Sequence, residues 1–394
     1  MKILVLSHKP PYPIIDGGCL AMSKFLLDLT SLNEINHIEY FCINTHKHGL
    51  NTNYFPVIEK VHFSSVFVDT KIRLFSAFKA YFISKSYNLS RFNSIAVQTH
   101  LIELCNKNEY DIIIFEGLFT TIYLDRLKKI SKAKFGYRAH NIEHQIWEQL
   151  ANNEKNFLKR FYIKSLAKNL KSEEIISLKS VDFILPLSKI DEGKMKGITN
   201  KPNFCIPVSI EKQAEKTDYS DTSLCFIGSF NWLPNSEAMK WFAKEIFPII
   251  KKEFPSITLN IAGDENENIK ELKNIAGIKF HGFVKNSSEF FLQNGIFIAP
   301  LQSGSGVKIK VLEALNHGMP CVLTEIASEG LFLPESQKIC ITKQDLIDDL
   351  IFLIQNENER KKRGVEGLKH VNKEFSSEKI REKLKSALFT LSYS

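Results

Sequence analysis

The segment 300–318 combines residue types that can hold a charged ligand. It begins where an apolar, strand-like run ends, and it contains Gly304 and Gly306 ahead of a helical pattern that closes at Gly318. Glycines let the backbone approach a ligand closely, and the free N–H groups at the start of a helix favour an anion. The pattern predicts a strand, a glycine loop and a helix that together cradle an anion such as pyrophosphate.

The predicted helix carries one polar stripe. Lys310, Glu313 and His317 follow Gly306 at spacings of four, seven and eleven residues, so they share a face. A lysine there would neutralise phosphate charge, and a glutamate would accept hydrogen bonds from a ribose diol. The alternative is that Lys310 and Glu313 only pair with each other on a surface helix. A P-loop is excluded, and the third glycine of a dinucleotide fingerprint is missing.

A second group of candidate residues lies in the first half of the chain. His140 ends a strand-like run, so its imidazole is expected at the carboxyl edge of a sheet, where it can hydrogen-bond a ligand. A purely structural role is the alternative. Gly17 and Gly18, placed before a predicted helix, form either a plain turn or a close backbone approach to phosphate or sugar. Glu143 either caps the next helix or acts directly.

Short apolar runs alternate with helical stretches along the chain, in two series. This alternation is typical of βα units, and it predicts an α/β fold of two doubly wound, Rossmann-like domains facing each other across a cleft. Ligands of such sheets bind beyond the carboxyl ends of the strands. The predicted strands are 3–7, 37–43, 111–115, 134–138 and 183–186, then 224–228, 258–263, 278–282, 295–300, 320–324 and 339–341.

A polar stretch without periodicity, 212–223, separates the two series. We place the domain boundary just before it, which gives a first domain at 1–207 and a second at 208–376. The last segment, 377–394, has apolar residues at helical spacing. It is predicted to be a helix that packs back across the domain junction.

The composition is that of an ordinary globular protein, with 44% hydrophobic and 24% charged residues among 394. The net charge of +8 is too modest to indicate a nucleic-acid partner. Seven scattered cysteines, never in C-x-x-C spacing, predict reduced thiols with neither zinc nor disulfides. No apolar run approaches the roughly 20 residues needed to cross a bilayer, and the first residues are typical of a strand. We therefore expect a cytoplasmic protein.

Two stretches mix basic with aromatic residues, and each contains no acid. They span 71–91 and 155–171. Such a mixture either lies on an anionic membrane surface or forms a solvated helix face over a core stripe. The first interpretation predicts a peripheral contact with the inner face of the cell membrane.

The segment 300–318 resembles the donor-site motif of glycosyltransferase family 4, retaining enzymes of the GT-B fold. The similarity extends to 224–238, 259–263, 278–284 and 328–331 in the second half. In the first half, Gly17 with Gly18 and the segment 137–143 resemble the acceptor-domain glycine loop and the active-site histidine segment. The resemblance implies that the first domain binds the acceptor and the second binds a nucleotide-sugar donor.

Several donor-site residues follow from this resemblance. Glu313 matches the second glutamate of the family's paired motif, which holds the donor ribose, whereas Ser305 stands where the first would lie. The basic pair that often follows the first donor-domain strand is missing after Gly228, a donor-binding position. Lys308 and Lys310 are the predicted substitutes for its charge.

The remaining roles are also carried over from the family. Phe283 and Val284 are expected to line the nucleobase pocket through backbone groups. The pyrophosphate is expected at the start of a helix beginning near Val307, and His140 is expected to hydrogen-bond the transferring sugar or the acceptor. His140, Lys310 and Glu313 are thus the predicted catalytic residues.

The resulting expectation is a glycosyltransferase that moves a hexose-type sugar, with retention, onto a glycan or polyprenyl-linked acceptor in surface polysaccharide biosynthesis. The resemblance implies neither a metal nor another cofactor. One alternative is a nucleotide-sugar epimerase of the same architecture, which needs further acid/base carboxylates that the sequence does not identify. The other is a non-catalytic nucleotide-sugar-binding subunit, an alternative left open by Ser305.

Overall fold

The computed structural model describes residues 1–46, 49, 55–71, 86–264, 267 and 269–392. The chain divides into two compact units. Met1–Val208 and Ile380–Ser394 form the first unit, and Ser209–Lys379 form the second. Most of the basic and aromatic stretch predicted at 71–91 lies outside the described residues.

The first unit contains a six-stranded sheet in the order β3-β2-β1-β4-β5-β6, with every neighbouring pair parallel. The central strands are buried along almost their whole length, as expected for a parallel sheet that helices cover on both faces. The strands are β1 (Lys2–Ser7), β2 (His37–Asn44), β3 (Val61–Phe67), β4 (Ile112–Glu116), β5 (Lys134–Ala139) and β6 (Phe183–Pro186).

The helices of the first unit connect these strands and cover the sheet. The described ones are α1 (Gly17–Thr30), α2 (Tyr87–Ser90), α3 (Ile95–Lys107), a 3-10 turn (Leu118–Tyr123), α4 (Leu124–Leu127), α5 (Glu143–Asn153), α6 (Phe157–Ser180) and α7 (Lys189–Lys196). The last helix of the chain, which we number α15 (Ser377–Ser392), also belongs here. Its Ile380, Leu384 and Leu388 are fully buried in the core formed with β1 and α1.

The second unit contains another parallel six-stranded sheet, in the order β12-β11-β10-β7-β8-β9. Its strands are β7 (Leu224–Ile227), β8 (Leu259–Ala262), β9 (Ile278–Gly282), β10 (Ile296–Ala299), β11 (Cys321–Thr324) and β12 (Ile339–Cys340). Its helical segments are α8 (Leu233–Glu245), α9 (Phe247–Glu253), a 3-10 turn (Lys270–Asn274), α10 (Ser287–Leu292), α11 (Ile309–Asn316), α12 (Glu325–Ser328), α13 (Lys343–Gln355) and α14 (Glu357–Glu374).

Counted within each unit, both sheets have the strand order 3-2-1-4-5-6 of the doubly wound α/β fold. The predicted α/β class with two Rossmann-like sheets is confirmed. In each sheet the strand order reverses at one point, between β1 and β4 in the first and between β7 and β10 in the second. Ligands of open α/β sheets bind beyond the carboxyl ends of the strands at this point. Among the described residues, no helix is long and apolar enough to span a bilayer.

Candidate functional site

The glycine loop of the second unit begins at its switch point. β10 ends at Ala299, and α11 begins at Ile309. Gly304 and Gly306 have φ angles of 118° and 76°, a region that favours glycine. A Cβ on Gly304 would also lie 3.1 Å from the Trp232 ring. The loop conformation therefore depends on glycine at both positions.

The helix starts later than the sequence predicts. Lys308 has an extended backbone, with φ −89° and ψ 90°, so Val307 belongs to the loop and the first helical residue is Ile309. The helix ends at Asn316, and His317 follows it as the cap residue. The free N–H groups of the helix start are accordingly located two residues further along the chain than expected.

Lys310 points toward the carboxyl end of β7. Its Nζ donates a hydrogen bond to Oδ1 of Asn235 at 2.5 Å, and it lies 4.3 Å from the ring centroid of Phe226. Burial, together with the nearby charge of Lys308, lowers the pKa of Lys310 to about 7. A Cβ on Gly228 would lie 2.8 Å from this Nζ, so the glycine at the strand end leaves room for the ammonium group.

Lys308 brings a second positive charge to the same loop. Its side chain is buried, its Nζ donates to the carbonyl of Gly306 at 2.5 Å, and the same atom lies 3.6 Å from Oε2 of Glu329. Burial, and then the charge of Lys308, lower the pKa of Lys310, since like charges that lie close together repel each other. An anion placed at this loop would relieve that repulsion.

The other two residues of the predicted stripe, Glu313 and His317, have different surroundings. Glu313 is half-buried and accepts a hydrogen bond from Ser287 at 3.5 Å. His317 is buried, with Nδ1 2.7 Å from the carbonyl of Glu313 and Nε2 2.8 Å from Oγ of Ser288. Burial lowers the pKa of His317, so a neutral imidazole links α11 to α10. His317 therefore belongs to the packing of the helix end, away from the glycine loop.

Three other predicted donor residues differ in exposure. Ser305 is buried between the two loop glycines. Phe283 directly follows β9 and is 63% exposed, whereas Val284 is half-buried and packs against the core beneath α11. Ser305 is thus part of the glycine loop, and the Phe283 ring is accessible at the carboxyl edge of the same sheet. Their contact with a donor stays a prediction.

In the first unit, the predicted glycine loop is the first turn of a helix. α1 begins at Gly17, and Asp16 caps it by accepting a hydrogen bond from the backbone N–H of Cys19 at 2.8 Å. Nζ of Lys9 lies 2.6 Å from the Asp16 carboxylate, and a Cβ on Gly18 would come within 2.8 Å of that Nζ. The expectation that both glycines precede the helix is wrong, because the Asp16 cap starts the helix at Gly17.

His140 belongs to a buried polar cluster at the carboxyl edge of the first sheet. Its Nε2 lies 2.5 Å from Oε2 of Glu116, and Nη1 of Arg138 lies 3.0 Å from the same oxygen. Arg138 also stacks 4.2 Å above the ring centroid of Phe25. The cluster thus combines a carboxylate and a guanidinium at the carboxyl ends of β4 and β5 with an imidazole just beyond β5.

The ionisation of this cluster follows from its burial and its charges. Burial lowers the pKa of His140, although the Glu116 carboxylate favours the imidazolium. Burial opposes the ionised form of Glu116, but Arg138 and His140 outweigh it and hold the pKa of that carboxyl below its usual range. At neutral pH the cluster therefore contains an ionised Glu116 and a neutral His140.

Sequence reasoning did not identify Glu116 or Arg138 as site residues. Both stand at or near the end of an otherwise apolar, buried strand, and a charged residue in that position is the signal that could have found them.

A pair of acidic residues, Glu143 and Glu174, lies at the start of α5. Glu174 accepts hydrogen bonds from the backbone N–H of Glu143 at 2.9 Å and of His144 at 3.1 Å. It supplies the cap that the sequence assigned to Glu143. Burial, and then the charge of Glu174, raise the pKa of Glu143 to about 7. A half-buried carboxyl with that pKa can exchange a proton near neutral pH.

The structure gives no metal cluster within the described residues, since no three His, Cys, Asp or Glu side chains there are grouped as ligands. All seven cysteines are free thiols.

Comparison with known proteins gives three kinds of match. Residues 221–356 match the family model described as Glycosyl transferases group 1. A Klebsiella pneumoniae protein described as "Uncharacterized 44.6 kDa protein in cps region" is 27% identical over 361 residues, which cover 88% of each chain.

Solved structures share the fold over the whole chain. Sucrose-phosphate synthase from Thermosynechococcus elongatus matches with a TM-score of 0.71 at 13% identity, covering 99% of both chains. Anabaena HepE, solved in complex with UDP and glucose, matches with a TM-score of 0.66 at 12% identity, covering 99% of this chain and 100% of HepE. The family match lies within the second unit, and the two solved structures share the fold of both units.

Proposed function

We propose that this chain is a glycosyltransferase that moves a hexose-type sugar, with retention, from a nucleotide-diphosphate donor to a glycan or polyprenyl-linked glycan in surface polysaccharide biosynthesis. The observation that carries the proposal is the convergence of Gly228, Lys308 and Lys310 on the switch point of the second sheet, next to a helix start. HepE was solved with UDP and with UDP-glucose, and the Klebsiella relative is described as lying in the cps region.

In this proposal the donor diphosphate lies on the glycine loop. The N–H groups after Lys308 and the two ammonium groups balance its charge, and Glu313 accepts hydrogen bonds from the ribose diol. Phe283 and Val284 line the nucleobase pocket, mainly through backbone groups. Ser305 is the loop side chain nearest to the sugar.

In this reaction the groups of the donor site act mainly by electrostatic stabilisation. During transfer the bond between the anomeric carbon and the diphosphate oxygen breaks, and its electron pair remains on the diphosphate. The acceptor oxygen forms the new bond to the anomeric carbon, and its proton passes to the departing diphosphate. Lys310, in its ammonium form, and the start of α11 stabilise the growing negative charge, so the proposed reaction needs no metal. His140, oriented by Glu116, hydrogen-bonds the sugar or the acceptor.

The first experiment offers the purified chain a panel of UDP-, GDP- and dTDP-sugars without acceptor. Slow release of the nucleoside diphosphate supports transfer to water in place of an acceptor. Inversion of the sugar at C2 would instead identify an epimerase, and binding without any reaction would identify a nucleotide-sugar-binding subunit. The reaction is then repeated in EDTA with the nucleotide sugar that gave activity. The proposal that no metal is needed requires an unchanged rate.

The donor-site assignment is tested separately by nucleotide binding. Lys310→Ala and Glu313→Ala should each weaken nucleotide affinity by about tenfold, because each removes a charged hydrogen-bond partner. Lys244→Ala is the matched control, since Lys244 is an exposed residue of α8 in the same unit and pairs with Glu271. Unchanged affinity in both site variants would show that the donor binds elsewhere.

A further inference from the structure

The first turns of α6 present large apolar side chains to solvent. Every residue from 155 to 162 is exposed, and Phe157, Leu158 and Phe161 are 74%, 67% and 64% exposed. Single exposed apolar residues are common on soluble proteins, but three together within one and a half turns of a helix are not explained by the packing of this unit.

These side chains lie on the face of α6 that points away from the core. Ile163, Leu166 and Leu170 are buried and define the core-facing side of the helix. At 3.6 residues per turn, Phe157 and Phe161 fall on the roughly opposite side. The outward side of a surface helix is normally polar. This helix therefore has a second apolar face, which we call the outer face of α6.

The charge around the outer face is predominantly positive. Segment 155–168 contains five basic residues and no acid, and the basic residues are Lys155, Lys159, Arg160, Lys164 and Lys168. Glu154, just before the segment, lies 2.6 Å from Nζ of Lys159 and neutralises that one charge. The outer face thus combines apolar side chains with a surrounding excess of positive charge.

We propose that the outer face of α6 binds an anionic lipid surface, with Phe157, Leu158 and Phe161 inserted among the lipids and Arg160 and Lys164 near the headgroups. Anionic lipids match both the sign of the charge and the apolar side chains. Pairing with a second copy of this chain would instead bring two positive surfaces together. The binding is a property of the helix surface and needs no sugar donor.

The test is co-sedimentation of the full chain with vesicles of phosphatidylglycerol and phosphatidylcholine, compared with phosphatidylcholine alone. The chain should sediment with the anionic vesicles and not with the neutral ones, and added salt should reduce the bound fraction. Equal binding to both kinds of vesicle, or to neither, would overturn the proposal. Because no nucleotide sugar is present, failure of the proposed transferase activity does not affect the result.

The variants locate the contact. Combined Phe157→Ser, Leu158→Ser and Phe161→Ser should lower the affinity for anionic vesicles by about tenfold or more. Substitution of exposed residues should leave folding intact, which circular dichroism checks. The matched control combines Ile249→Ser with Phe352→Ser, which are similarly apolar and 42% and 45% exposed in the second unit. This control should bind as the unsubstituted chain does.

A local readout distinguishes insertion from contact elsewhere. Phe157→Trp should show a blue shift of its emission when anionic vesicles are added, because the indole enters an apolar environment. Equal vesicle binding by the triple variant and the unsubstituted chain would refute the proposal. So would a dimer in solution that the triple substitution dissociates without any vesicle binding by the unsubstituted chain.

Discussion

Oε2 of Glu116 lies 2.5 Å from Nε2 of His140, and this carboxylate is completely buried. Nη1 of Arg138 lies 3.1 Å from the same imidazole nitrogen, so the ionised Glu116 carboxylate at 2.5 Å is its nearer partner. We therefore assign the proton of the neutral imidazole to Nε2. Nδ1 is then the acceptor nitrogen of His140. The Glu116 contact therefore orients the ring and favours this tautomer in the residue proposed to contact the sugar or the acceptor.

Glu116→Gln should lower kcat by about tenfold or more, because positioned acid–base and hydrogen-bonding groups contribute roughly 10²–10⁴-fold to rates. The amide can donate to Nε2 and reverse the tautomer, so the pH profile should change as well as the rate. The measurement is donor hydrolysis or transfer from pH 5.5 to 9.

The control for this substitution is nucleotide affinity, which should not change because the nucleotide is assigned to the second unit. If Glu116→Gln proves too unstable to purify, His140→Asn tests the same relationship from the other side. An unaltered rate and pH profile in either folded variant would contradict a positioning role for Glu116.

Acid should destabilise the protein in part through His140. Burial lowers its folded pKa below the usual value, so on acidification the unfolded chain takes up this proton first. The stability is present above the unfolded pKa, near 6.5, and is lost as pH falls toward the folded pKa. His140→Asn should therefore show a smaller loss of unfolding free energy between pH 7 and 5.5, measured by urea denaturation.

His317 should contribute in the same direction, because burial also lowers its pKa. His317→Asn therefore serves as a comparison, and each single variant should remove part of the pH dependence. If the unfolding free energy depended on pH equally in both variants and in the unsubstituted chain, the assignment of this pH dependence to the two histidines would be contradicted.

Lys310 should take up a proton when a nucleoside diphosphate binds. Its pKa of about 7 in the ligand-free protein should rise beside a diphosphate, since an anion favours the ammonium form. UDP affinity should then fall as pH rises from 7 to 9. Isothermal titration calorimetry at pH 8, in two buffers of different ionisation enthalpy, measures the proton uptake.

The variant Lys310→Met tests whether the proton taken up on UDP binding goes to Lys310. It should bind UDP more weakly, and it should lose the proton uptake because no titrating group remains at the position. Undiminished uptake in Lys310→Met would assign the proton to another group.

Gly228→Ala should weaken nucleotide binding without unfolding the second unit. The added Cβ would lie 2.8 Å from both Nζ of Lys310 and Nδ2 of Asn235, and these flexible ends can move apart. The loss of their contact should lower UDP affinity by about tenfold, or roughly 1–2 kcal/mol. Fluorescence or calorimetric titration with UDP measures the change.

Gly193→Ala is the matched control, because a Cβ there meets no atom within 4 Å on helix α7. It should leave UDP affinity unchanged and raise stability by up to about 1 kcal/mol through helix propensity. Equal UDP affinity in the two alanine variants would remove Gly228 from the donor site.

Much of the secondary structure followed from sequence alone, because buried parallel strands are short apolar runs between turn residues. β6 and β9 were predicted with the bounds that the structure shows, and the other predicted strands differ by one or two residues. β3 was missed. It lies at the sheet edge, and His62, Ser64 and Ser65 interrupt its apolar pattern, so no continuous run marks it.

Local sequence also identified the glycine loop, because glycines between a strand and a helix indicate a close backbone approach. It did not predict the start of α11 at Ile309, which depends on the extended conformation of Lys308 inside the folded loop. Nor could spacing on a helix reveal that Lys310 turns toward Asn235 while His317 bonds Ser288. Those partners come from other elements of the second unit.

The polar cluster of the first unit was decided by tertiary structure alone. The parallel register of β4 and β5 places Glu116 opposite Arg138, and His140 follows two residues later. Strand register is a pairing between segments distant in sequence, set by the packing of the whole sheet, so no local pattern encodes it. The sequence determined which residues end the strands, and only the sheet brought the carboxylate, the guanidinium and the imidazole within hydrogen-bonding distance.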